Sequence, residues 1–139
     1  MNVQLIAAGS LAVLAAAIHG GAGEVLVVRR LSLETLAGTA FGGPRMTRAM
    51  IHVTWHLTTI AFFAAGIALL LSGSVLEGDA ARAVGLVAAG TSTGFAAVAL
   101  GLGVADTRRP RSLLRHPGPI ALAVVAALAW WGALILPHQ

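Results

Sequence analysis

Four side chains with chemical reach lie inside otherwise apolar sequence. His52 and His56 stand four apart in MIHVTWHLTT, residues 50–59, and His19 and Glu24 five apart in IHGGAGE, residues 18–24. An imidazole or carboxylate in apolar surroundings is costly unless it finds a partner. Neutral imidazole is a good ligand for Zn, Cu, Fe or Ni. A four-residue spacing puts His52 and His56 on one helix face. With His19 and Glu24 they form a candidate ligand set for a divalent metal. His19 and His56, on different helices, are the candidate axial pair for a haem b. The three histidines and the glutamate also suit a proton or ion path through an oligomer. The plainest alternative is a polar layer that only closes the structure, with His52 on Glu24 and His19 on His56 or a threonine. Thr54, Thr58, Thr59, Thr91, Ser92 and Thr93 are available as partners.

The elements that carry these residues are legible from composition. Of 139 residues, 58% are hydrophobic and 10% charged, whereas a soluble domain carries about a quarter charged residues. The apolar residues fall in four blocks, about 3–28, 49–71, 83–105 and 119–136. Each can cross a hydrocarbon core of ~30 Å as a helix, for which about 20 residues suffice. The expected fold is all-α: one integral membrane domain over 1–139, four transmembrane helices in an antiparallel up-down bundle. The first block lacks the basic start of a signal peptide and is read as a retained helix.

There is no cysteine, which excludes disulfides and thiolate chemistry. No nucleophile–base set, phosphate loop or paired carboxylates point to a soluble-type enzyme. The nine basic residues are all arginine, flanking the apolar blocks as a topology signal rather than a nucleic-acid patch. Arg29, Arg30, Arg45 and Arg48 lie in the first connection, and Arg108, Arg109, Arg111 and Arg115 in the third. The second holds Arg82 beside Glu77 and Asp79. The positive-inside rule then places connections one and three in the cytoplasm and both termini outside. Within connection one, Leu31, Leu33, Leu36 and Phe41 allow a short amphipathic segment on the inner surface, or a plain linker.

Depth follows from these flanks at ~1.5 Å per residue. His19 lies ten residues before Arg29 and His56 eight after Arg48, so the two are expected level, roughly 12–15 Å inside by that rise. Glu24 and His52 form a second layer nearer the cytoplasm. His19 and Glu24 are offset by roughly 140° around an ideal helix. Gly20, Gly21 and Gly23 leave room for a close neighbour or a planar group. Gly90 and Gly94, in a G-x-x-x-G arrangement, mark a packing face within the chain or between copies.

Taken together, IHGGAGE in the first helix, TWHLTT in the second and RHPGP before the last resemble a group of small four-helix bacterial integral membrane proteins. These carry a His in helix one and a Trp-His pair in helix two. The resemblance covers most of the chain and implies a multi-pass protein of the bacterial inner membrane. The group brings no established activity. The small multidrug transporters place a glutamate centrally in helix one, unlike Glu24, and a succinate dehydrogenase membrane anchor is similar only in its histidine-bearing helices. The expected function is a structural, accessory or cofactor-binding subunit of a membrane assembly. Its partners are the lipid bilayer and a homo-oligomer or larger membrane complex, without nucleic acid.

Overall fold

A computed structural model of the chain describes residues 1–107 and 118–136. It is all-helical. Helix α1 spans Val3–Leu26 and ends in a 3-10 turn at Val28–Arg30. Helices α2, α3 and α4 span Pro44–Ser74, Gly78–Thr107 and Gly118–Leu134. Arg108, Arg109, Arg111, Arg115, His116 and His138 lie outside the described residues. Three of the helices are long and apolar enough to cross a membrane, and α4, with 17 residues, is shorter.

The helices exceed the apolar blocks at most ends, because hydropathy marks the lipid-compatible part of a helix and not its caps. Pro44 occupies the first turn of α2, where its missing N–H costs nothing. Arg45 and Arg48 therefore sit within the helix rather than ahead of it. Gly78 takes φ 54°, a left-handed value that lets the chain reverse from α2 into α3 within a few residues.

The amphipathic segment allowed for connection one is absent, and turns stand in its place. The Ser32 hydroxyl accepts the Glu34 N–H at 3.3 Å, and the Ser32 carbonyl accepts the Thr35 hydroxyl at 3.1 Å. Thr39 and Gly42 pair their backbones around a φ of 156° at Gly42. Such local side-chain bonds compete with helix formation.

Helix α1 packs on α2 and α4, and α3 on the same two. Paired positions run in opposite senses: Gly9 meets Gly66 and Gly20 meets Thr59, Gly85 meets Ala133 and Thr93 meets Trp130, while Ser72 bonds Ala81 across the short turn from α2 to α3. Neighbouring helices are therefore antiparallel. The buried stripe of α1 is Leu5, Ala8, Gly9, Ala12 and Ala16. Small residues let helix backbones approach closely. A Cβ on Gly9 would lie 2.7 Å from the Gly66 carbonyl oxygen.

One end of the bundle is tied by Asn2. Its backbone N–H donates to the Gly73 carbonyl at 2.7 Å and its side-chain amide N–H to the Gly132 carbonyl at 2.9 Å. Its side-chain oxygen accepts the Leu5 N–H at 3.0 Å, capping α1. On α3, by contrast, a Cβ on Gly90, Gly94 or Gly101 would meet nothing within 4 Å. Among the described residues, that glycine face packs on no other helix.

Candidate metal centre

The antiparallel α1–α2 hairpin carries the sequence-selected residues at the end away from Asn2. Glu24 lies in the last turn of α1, and His52 and His56 share one face of α2. Glu24 Oε2 stands 3.2 Å from His52 Nε2 and 3.3 Å from His56 Nε2. The imidazole rings lie 5.0 Å apart at 49°. Ligand atoms of the three residues all fall within 4.8 Å of one another.

Arg29 holds the carboxylate from its other side. After α1 ends, the 3-10 turn folds the chain back, and Arg29 Nε donates to Glu24 Oε1 at 3.1 Å. The Arg29 side chain is 69% exposed and that of Glu24 16%. Oε1 is thus satisfied, and Oε2 is not. It is the one buried side-chain polar atom without a hydrogen bond among the described residues. Neither imidazole, though close, meets it in hydrogen-bonding geometry. Such an orphan needs a physical reason.

His19 goes elsewhere. Its Nδ1 bonds the Thr59 hydroxyl at 2.9 Å, and that hydroxyl also donates to the Trp55 carbonyl at 3.0 Å. The His19 ring stacks on Trp55 with centroids 4.2 Å apart and 9° between planes, and it meets the edge of Phe62. The Trp55 indole N–H donates to the His19 carbonyl at 3.0 Å. A Cβ on Gly23 would run into that indole. Trp55 therefore fills the space at Gly23 and Thr59 that at Gly20, while Gly21 faces open space.

Of the four candidate ligands, the structure brings together Glu24, His52 and His56 and sets His19 apart. His19 is opposite Thr59, three residues from the His56 level expected from the arginine flanks. Arg29 and Arg48 do not mark one level, because Arg29 lies in the 3-10 turn after α1 and Arg48 inside α2. Two contributors were not singled out from sequence. Arg29, in sequence a charge flanking the span, lies five residues from Glu24 and bonds it. Trp55, in sequence one half of the Trp-His pair, owes its role to the notch at Gly23.

Chemically, the trio offers two imidazole nitrogens and one carboxylate oxygen, a three-ligand set of the kind that leaves a fourth position open on zinc. Comparison with known proteins finds no family model, no curated protein and no solved structure that matches the chain.

Proposed function

We propose that this chain is a small multi-pass protein of the bacterial inner membrane that binds a divalent metal through Glu24, His52 and His56, as an accessory or cofactor-binding part of a membrane assembly. The proposed orientation puts connections one and three in the cytoplasm and the metal-binding end of the hairpin near the inner face. The proposal keeps the likeness to small four-helix bacterial membrane proteins as its frame.

The observation that carries the reading is Glu24 Oε2, shielded, unbonded and flanked by two Nε2 atoms at 3.2 and 3.3 Å. Bonds of about 2.0–2.1 Å to a tetrahedral metal place neighbouring ligand atoms about 3.3 Å apart. Two edges of that figure are already present. The histidine side chains, 49% and 46% exposed, have freedom to close the third. Arg29 on Oε1 leaves Oε2 as the ligating oxygen, an outer-shell restraint of the type that orients metal ligands. Haem ligation by His19 and His56 draws less support, since Thr59 and Trp55 engage His19 and the indole occupies the notch.

The test uses chelator-stripped protein in maltoside micelles titrated with Co²⁺, whose visible d–d bands report coordination. One equivalent is expected to bind. Glu24→Gln, His52→Ala and His56→Ala should each weaken it by at least about tenfold, while His19→Gln should not, the ligands being only the three that converge. Folded wild-type protein that takes up no stoichiometric metal overturns the reading.

A further inference from the structure

We infer that the metal held by Glu24, His52 and His56 completes its coordination with a phosphate-group oxygen, which Arg29 grips at the same time. This rests on the metal-binding reading above.

Three protein ligands leave a tetrahedral ion one position short. The half-exposed rims of His52 and His56 show on which side the site opens. Arg29 stands across the Glu24 carboxylate, on Oε1, while the two imidazoles flank Oε2. Its Nε–H is committed to Glu24 Oε1, yet a guanidinium carries five N–H donors in a rigid fork. The remaining four belong to its terminal nitrogens, on a side chain 69% exposed. A cation is therefore pinned within one carboxylate's width of the ligating oxygen, with donors to spare.

Charge selects the class of fourth ligand. A divalent ion (2+) and Arg29 (1+) against Glu24 (1−), with neutral imidazoles, leave two positive charges. Water would neutralise neither of them. An oxyanion that binds metal and arginine together removes most of that excess. Phosphate matches the guanidinium fork through paired N–H···O bonds. Arg48, one turn before His52 on α2, adds a further positive charge on the face of the two histidines. In the proposed orientation, Arg29, Arg30, Arg45 and Arg48 lie at the level of lipid headgroups, where phosphate is abundant. A headgroup phosphate and free inorganic phosphate share this chemistry, and the experiment separates them.

The Co²⁺-loaded protein is prepared in phosphate-free maltoside. Inorganic phosphate, a short-chain phosphatidylglycerol or acetate is then added. Phosphate binding at the metal should shift the d–d bands, broaden the ³¹P signal and tighten Co²⁺ binding by about tenfold, an ordinary coupling between two ligands. An effect of inorganic phosphate alone identifies the free ion, and an effect of the lipid alone identifies the headgroup. Arg48→Gln, compared at a Co²⁺ concentration that saturates it, should lose much of the phosphate effect while keeping the metal, whereas Arg29→Gln should lose the phosphate effect and also weaken Co²⁺ binding, because it releases Glu24 as well. Arg48→Gln leaves the contact to Glu24 intact and so separates anion binding from ligand orientation. Bound Co²⁺ with bands and ³¹P lines unmoved by either phosphate source overturns the inference and leaves the metal reading standing. Equal changes with acetate also overturn it. No Co²⁺ uptake under any condition overturns both.

Discussion

At the scale of single residues, the hairpin separates two kinds of polar group by a few ångströms of depth. His19 is consumed by structure: a hydroxyl on Nδ1, an indole on its face, a phenyl edge beside it. Glu24 is bonded on one oxygen only. The residue types were legible in the sequence, because His and Glu stand out in an apolar span. Their grouping was not, since the five-residue offset of His19 and Glu24 sends them to different sides of α1, and no pattern announces that Trp55 takes the place between. Two expectations belong here. Imidazole must be neutral to bind metal, so Co²⁺ should be released on acidification, with both the d–d bands and binding enthalpy lost together. Gly23→Ala places a methyl group against the Trp55 ring and should destabilise the protein by about 1–3 kcal/mol, read as a lower melting midpoint by circular dichroism in detergent.

Among elements, α2 is the frame of the site. Its 31 residues extend ~46 Å at the helical rise, well beyond a hydrocarbon core of ~30 Å. In the proposed orientation, the surplus would let Arg45 and Arg48 stay on the helix while His52 and His56 remain near the membrane boundary. Helix α4, with 17 residues, reaches only ~26 Å by the same rise. Helix number and approximate bounds were readable from hydropathy. The register between α1 and α2 was not, because small residues rather than charges set it: Gly9 against Gly66 and Gly20 against Thr59 fix the slide of one helix on the other. Gly9→Val should therefore force the pair apart and cost about 3 kcal/mol through overpacking, with Co²⁺ affinity falling in parallel because Glu24 moves relative to the histidines. Unchanged melting and unchanged affinity would show that the seam is looser than its spacing implies.

For the whole molecule, the interior is narrow and the exterior carries the large apolar groups. Among the described residues, Leu5, Leu69, Val28 and Val125 are the largest fully buried hydrophobic side chains, while Leu14, Ile18, Leu57, Ile60 and Val87 are exposed. That inversion of a water-soluble core is what a lipid environment asks for. The all-helical class followed from composition. The arginine asymmetry makes a separate claim about orientation, and the absence of cysteine makes it simple to check with introduced thiols. In intact bacterial cells, a membrane-impermeant maleimide should label Glu77→Cys directly and Ser32→Cys only after permeabilisation. The reverse pattern would invert the proposed topology without touching the metal chemistry.

The knot at Asn2 has a mechanical meaning. Three helix ends are cinched there by hydrogen bonds to Gly73 and Gly132, a pivot for which the opposite tips of α1 and α2, joined through the bonds of His19 to Thr59 and Trp55, would be the jaws. Ion capture would then slow amide exchange at the jaws and leave the pivot unaltered. Asn2→Ala would loosen the hinge and blunt the grip from the far side of the bundle.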